Sequence, residues 1–196
     1  MPYQLVRCGR EISRVPQYAM MVLMDLSARP AITEDWTQIV QLNNSELLNV
    51  GPLRLDQGEW FLSHATVTVI DGPDDARTAE HPAVGLAAMI VLMVQDCGYR
   101  SPNYAWFAAR FDGFAYVDRI VVRNDQAGQG LGRLLYDGAA TWARQAGKPV
   151  LTAEVSVEPP NERSLEFHRR YGFGEIGRQV DPRYGQTVAM LSFPLR

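Results

Sequence analysis

The stretch Val122-Arg123-Asn124-Asp125-Gln126-Ala127-Gly128-Gln129-Gly130-Leu131-Gly132-Arg133-Leu134-Leu135 decides the fold. It closes a strand read over Phe114–Val122, turns on three glycines and opens a helix. Leu131, Leu134, Leu135, Gly138, Ala139 and Trp142 recur at helical spacing and mark the buried stripe. Gly147 stands where a left-handed helix end is expected, and Pro149 stops the helix. A helix N-terminus after a glycine turn offers unpaired N–H groups to a phosphate. Glycine also lets a ligand approach the backbone. On the glycines alone, a tight turn with no ligand explains the pattern as well. Two familiar phosphate loops fail. A Walker loop needs Lys-Ser/Thr where Arg133-Leu134 stands. The dinucleotide fingerprint needs a wider glycine spacing early in a βαβ unit.

Working outward, Val150–Val157 is the next strand, with Leu151, Ala153 and Val155 on one face and Thr152, Glu154 and Ser156 on the other. Asn161 caps a short helix that runs to Tyr171 and ends at Gly172. Strands over 173–180 and 186–193 follow. Upstream, 94–113 reads as a long aromatic loop. Val84–Met93 is apolar enough for a strand buried on both faces. Ala65–Ile70 is its hairpin partner across a polar connection. Further back, a short helix falls at 45–50 or 56–62. Thr33 is the expected N-cap of a helix carrying Trp36, Ile39 and Val40, and Met21–Ser27 is the first strand. Residues 1–20 form an irregular arm, and 21–196 form one α/β domain with a mixed central β-sheet and flanking helices.

Bulk properties narrow the function. The chain has 196 residues, enough for one well-formed core, and a formal net charge of −3 with no basic block. Nucleic acid is therefore not an expected partner. The apolar run Met20–Leu26 is too short to span a membrane, and no signal peptide is evident. Cytoplasmic location follows as the expectation. Cys8 and Cys97 are isolated, neither lies in a metal-ligand pattern, and no metal is expected.

The glycine stretch resembles the coenzyme A signature of the GNAT N-acetyltransferase superfamily, R/Q-x-x-G-x-G/A after a strand ending in valine. A second segment, Asn161-Glu-Arg-Ser164-Leu-Glu-Phe-His168-Arg-Arg-Tyr171-Gly172-Phe173, resembles the family's N-x-x-A-x-x-(F/L)-Y-x-x-x-G-F. The resemblance covers roughly residues 20–195. Tyr99, Ser101, Asn103-Tyr104, Trp106-Phe107, Tyr116-Val-Asp118-Arg119 and Pro159-Pro160-Asn161 are similar to a less-studied branch. Two departures stand out. Ala127 occupies the usual Arg or Gln position, and His168 replaces the usual tyrosine.

The resemblance implies a GNAT fold and acetyl transfer from acetyl-CoA to a small-molecule or peptide amine. It implies that pantetheine pairs with the backbone near Val121 and Val122. The loop Ala127, Gly128, Gln129, Gly130, Leu131, Gly132 and Arg133 would hold the pyrophosphate, and Asn161 would touch the coenzyme from the other side. Homodimers are common in the family, and strand edges after residue 173 are the expected contact. The rival within the fold is a coenzyme-binding module without catalysis.

The chemistry needs an amine stripped of its proton, a polarised carbonyl and a tolerable leaving thiolate. Glu154 is the first candidate base and Asp118 the second. The structural alternatives are an Asp118–Arg119 pair and a solvated or ion-paired Glu154. In the place of the family's tyrosine, His168 is the candidate acid, or else a helix-face histidine bonded to a carbonyl. Asn103, Tyr104 and Trp106 are candidates to line the acceptor pocket, unless the aromatics merely pack their loop down. Tyr171 reads as core, and His64 and His81 as structural or exposed.

Overall fold

The structure, a computed structural model, describes residues 6–8, 11–13, 28–47, 50–72 and 85–196, the first two segments as backbone. The strand expected at Met21–Ser27 and His81 lie outside the described residues. Within the arm, β1 (Val6–Cys8) and β2 (Glu11–Ser13) pair antiparallel, so the arm is not wholly irregular.

Among the described residues seven strands form one sheet: β3 (Ala28–Pro30), β4 (Thr66–Asp71), β5 (Leu86–Val94), β6 (Ala115–Val122), β7 (Val150–Glu158), β8 (Gly174–Val180) and β9 (Thr187–Pro194). Their order is β3-β4-β5-β6-β7-β9-β8. Neighbours are antiparallel except β6 and β7, which run parallel because α4 (Leu131–Gln145) crosses over between them. All nine residues of β5 are buried, which demands cover on both faces of the sheet. α4 packs on β5, β6 and β7, α1 (Trp36–Asn44) on β5, and α5 (Glu162–Tyr171) on β7. At the far edge, β8 leaves Ile176 and Val180 exposed.

The expected strands are found within a residue or two, and the middle helix falls at α2 (Gly58–His64). Two local readings are corrected. Thr33 does not cap α1. A 3-10 turn over Thr33–Asp35 precedes the helix, and Asp35 accepts from Ile32 N–H at 2.8 Å. Asp35 also pairs with Arg29 of β3 at 2.6 Å, and burial next to a fixed cation is a stronger demand than a threonine cap. The second correction is at 94–113, which contains α3 (Pro102–Ala108). Ser101 caps it, accepting from Tyr104 N–H, and Pro102 opens its first turn.

Gly58 is a packing requirement. A Cβ there would lie 2.6 Å from Trp36 Cδ1, and Trp36 is held by its indole N–H donating to the Leu55 carbonyl at 3.0 Å. Gly58→Val is therefore expected to destabilise the fold by about 1–3 kcal/mol through overpacking. A thermal melt checks this; an unchanged midpoint would show that Trp36 yields freely.

Candidate active site

The site begins with a mismatch in the sheet. β6 and β7 pair only at Ala115↔Leu151, Tyr116↔Thr152 and Val117↔Ala153. On the other side of β6, Val91 pairs Arg119 while Leu92 pairs Val117, so Asp118 is an extra residue in a bulge. A bulge bends its strand and increases local twist. Beyond it the two strands separate, and a cavity of about 520 Å³ occupies the gap. Val121 and Val122 line one wall, and Val155 and Ser156 the other.

The glycine turn closes one end. Gly128 and Gly130 have φ of 80° and 83°, the left-handed region, and a Cβ on either would meet nothing within 4 Å among the described residues. Both therefore face open space where a ligand can approach. Ala127 N–H donates to the Asn124 carbonyl at 3.2 Å, and the first helical acceptor is the Gly130 carbonyl, bonded by Leu134 N–H at 3.0 Å. The N–H groups from Gly128 through Arg133 thus have no backbone acceptor among the described residues. This is a run of donors at the positive end of α4, suited to a pyrophosphate. Arg123 braces the turn, donating from Nε to Asp125 at 2.6 Å and from Nη1 to the Leu86 carbonyl. Ala127, Leu131, Gly132 and Arg133 line the cavity; Gln129 does not. Asn161 lines it too, while its Oδ1 caps α5 by accepting from Ser164 N–H at 3.1 Å.

At the floor between the splayed strands, Glu154 Oε1 accepts from Tyr116 Oη at 2.8 Å and Asn103 Nδ2 at 3.0 Å. Its Oε2 is buried and has no hydrogen-bond partner among the described residues. Burial, and then the neighbouring charge of Asp118, push the carboxyl up to about 7, against the pull of Asn103, Tyr116 and Arg183. A carboxylate tuned to neutrality with one oxygen unspent, on a cavity wall, is the arrangement a general base requires.

Asp118 is differently placed. Its Oδ1 accepts from Tyr99 Oη at 2.6 Å and its Oδ2 from Arg119 Nε at 2.6 Å. Both oxygens are engaged, and the pairing with Arg119 is the one weighed from sequence.

His168, on α5, is buried against Tyr136 of α4. Its Nδ1 lies 2.7 Å from the Ser164 carbonyl, which can only accept, so Nδ1 carries the hydrogen. Nε2 then accepts from Tyr136 Oη at 2.7 Å. Burial lowers the pKa of His168, which keeps it neutral. Tyr136 and His168 both line the cavity.

Of the expected pocket residues, Asn103 lines the cavity but its amide is spent: Nδ2 bridges Glu154 and Asp181, and Oδ1 accepts from Gln179 Nε2 at 2.7 Å. Tyr104 and Trp106 do not line it. The Tyr104 hydroxyl donates to the Val94 carbonyl at 2.8 Å. Trp106 stacks under Arg110 and packs on Gly177, where a Cβ would sit 2.8 Å from the ring. These aromatics pin α3 to the sheet, the packing alternative. His64 is structural, stacked on Trp60 with Nδ1 against its carbonyl. Sequence reasoning missed Tyr116, Tyr136, Asp181 and Arg183. Tyr116 was within reach, since it lies two residues from Asp118 on an alternating strand.

Residues 36–173 match the Acetyltransferase (GNAT) family. The chain belongs to the GNAT acetyltransferase family. An N-acetyltransferase of Streptomyces griseus is 30% identical over 168 residues, 81% of this chain and 79% of that protein. The L-amino acid N-acyltransferase MnaT of Escherichia coli K12 is 30% identical over 177 residues, 87% and 94% of the two chains. A phosphinothricin N-acetyltransferase of Streptomyces coelicolor is 27% identical over 184 residues, 87% and 97% of the two chains. Among solved structures, a chain of the NatC complex bound to Gag peptide and CoA superposes with a TM-score of 0.63 at 17% identity, covering 88% of this chain and all of that one. A Salmonella typhimurium protein solved with its cofactor acetyl-CoA gives 0.60 at 18% identity, covering 88% and 95%. This acetyltransferase is accordingly an acetyl-CoA-dependent N-acetyltransferase with the GNAT sheet. Among its described residues no helix is long and apolar enough to cross a membrane.

Proposed function

We propose that this acetyltransferase moves an acetyl group from acetyl-CoA directly to a small-molecule primary amine, with Glu154 as general base. The observation that carries the reading is Glu154 on the wall of the cavity, its buried Oε2 without a hydrogen-bond partner among the described residues. Acetyl-CoA supplies the activated thioester. The donors from Gly128 to Arg133 hold its pyrophosphate, and the backbone of β6 beside Val121 and Val122 aligns the pantetheine arm in the splay. A β6 backbone N–H polarises the acetyl carbonyl. Glu154 Oε2 takes the proton that the amine must lose, and Tyr116 and Asn103 hold the other oxygen fixed. Relatives named for L-amino acids and phosphinothricin support a small amine as acceptor.

The leaving thiolate has a pKa near that of cysteine, so it departs at neutral pH with little need of an acid. The sequence expectation put His168 in that role. With Nδ1–H given to Ser164 and Nε2 accepting, neutral His168 acts instead through Tyr136, fixing its hydroxyl on the cavity wall.

Tyr116→Phe removes a hydrogen bond that favours the carboxylate. The pKa of Glu154 is expected to rise further, shifting the acidic limb of the pH–rate profile upward by about one unit. An unmoved limb would detach Tyr116 from the base. The reading as a whole is tested by thiol release from acetyl-CoA against a panel of primary amines. Amine-dependent release at neutral pH is expected; tight acetyl-CoA binding with no release on any amine would leave a coenzyme-binding module.

A further inference from the structure

The turn joining β8 to β9 forms a wall of the same cavity that the reaction above does not use. Asp181, Arg183, Tyr184 and Gln186 all line it. The turn is rigidly tied: Asp181 N–H donates to the Gln186 carbonyl at 2.8 Å, and Gly185 N–H returns to the Asp181 carbonyl at 2.8 Å. Asp181 is 3% exposed, and its carboxylate accepts Arg183 backbone N–H at 2.8 Å, Nε at 3.0 Å and Nη2 at 2.6 Å. That fork fixes one edge of the guanidinium. The opposite edge, Nη1 with the second hydrogen of Nη2, has no acceptor among the described residues. The Arg183 side chain remains 35% exposed. A planar two-donor edge of this kind matches a carboxylate.

Its place relative to the base is set by Asn103. Glu154 Oε1, Asn103 Nδ2, Asp181 Oδ2 and Arg183 Nη2 are joined by hydrogen bonds of 3.0, 3.1 and 2.6 Å in series, which caps their separation at the length of that chain. An α-amino acid carries amine and carboxylate two bonds apart and, with a hydrogen bond at each end, spans roughly 8 Å. Of the other guanidinium groups on the wall, Arg133 lies in the first turn of α4 and Arg163 and Arg170 lie on α5, while Arg119 is 9% exposed and bonded to Asp118, Asn43 and the Gly51 carbonyl.

We infer that Arg183 is a specificity residue that receives the α-carboxylate of an amino-acid acceptor whose amine faces Glu154. The inference rests on the proposed reaction at Glu154 and names its substrate class. Asp181 and Asn103 then act as positioning residues that hold the carboxylate fork at a fixed distance from the base. An acceptor without the carboxylate would leave the fork facing an apolar or amide group, which costs the interaction of a charged hydrogen-bonded pair.

The test compares kcat/KM for the twenty L-amino acids with that for their α-amides, in wild type, Arg183→Gln and Arg183→Lys. Acetyl-CoA binding by calorimetry confirms that each variant is folded. The amide has the less basic amine and is chemically favoured, so a preference for the free acid must come from binding. Wild type is expected to prefer its best amino acid over the amide by about 10- to 100-fold. In Arg183→Gln that ratio falls toward one, chiefly through KM, and Arg183→Lys recovers part of it. A ratio unchanged in Arg183→Gln, no discrimination in wild type, or acetylation of other amines but of no amino acid would overturn the assignment. Failure of the base reading looks different: turnover of acid and amide would survive in Glu154→Gln with the ratio intact.

Discussion

Glu154→Gln is expected to lower kcat by about 10²- to 10⁴-fold, the usual worth of a positioned general base, with acetyl-CoA affinity unchanged. The amide keeps an oxygen for Tyr116 and Asn103, so the loss isolates the proton acceptor from the packing. The same substitution has an opposite effect on stability. Burial raises Glu154 to about 7 in the folded chain, above its ordinary value of 4.5. The folded state therefore binds the proton more tightly than the unfolded one, and wild-type stability falls as pH rises from about 4.5 through 7. Glutamine has no charge to bury. The variant should gain on wild type by roughly 2–3 kcal/mol between pH 5 and pH 8. Urea melts at the two pH values check this. A wild-type enzyme that gained stability relative to the variant on the alkaline side would place Glu154 in an ion pair rather than at a catalytic post.

Gly130→Val is the second large effect, and it acts on the coenzyme. Gly130 is the left-handed residue from which α4 starts, with φ of 83°. A β-branched residue is a severe outlier there, and relaxing it would rotate the N–H groups of the turn away from the cavity. Among the described residues no side chain crowds the position, since a Cβ would meet nothing within 4 Å. The damage should therefore fall on ligand binding more than on the core. Acetyl-CoA is expected to bind about 10- to 100-fold more weakly by calorimetry, with a small loss of thermal stability. Binding within twofold of wild type would mean that the free amides are not the phosphate site.

Much of this architecture is legible in the chain because local and global signals agree. The apolar run of β5, the stripe of α4 between its glycine turn and Gly147, and the Asn161-to-Gly172 helix each carry their own start, stop and burial pattern. Glu154 was legible as a carboxylate on the polar face of its strand. Its tuning was not, because the burial and the hydroxyl of Tyr116 that set it come from another strand. α3 was hidden by its composition. Five aromatics between 94 and 113 look like a binding loop, although Ser101-Pro102 was a helix start in plain view. The two pocket corrections share one cause: Tyr104 and Trp106 point into packing contacts that only the sheet creates. Likewise, Tyr136 and His168 sit 32 residues apart and meet only when α4 and α5 pack. Asp181 and Arg183 read as an ordinary hairpin turn until the order β7-β9-β8 brings that turn over Glu154.

In the proposed reaction Glu154, held near neutrality by burial, takes the proton from the acceptor amine. This step is tested most directly by the pH dependence of kcat/KM for acetyl transfer, followed as thiol release in wild type and Glu154→Gln. A carboxylate base works only when ionised, so wild-type activity should rise tenfold per unit below an apparent pKa of about 7 and level off above it, and that limb should be missing from the residual activity of the variant. The same limb persisting in Glu154→Gln would contradict the account and assign the proton to another group.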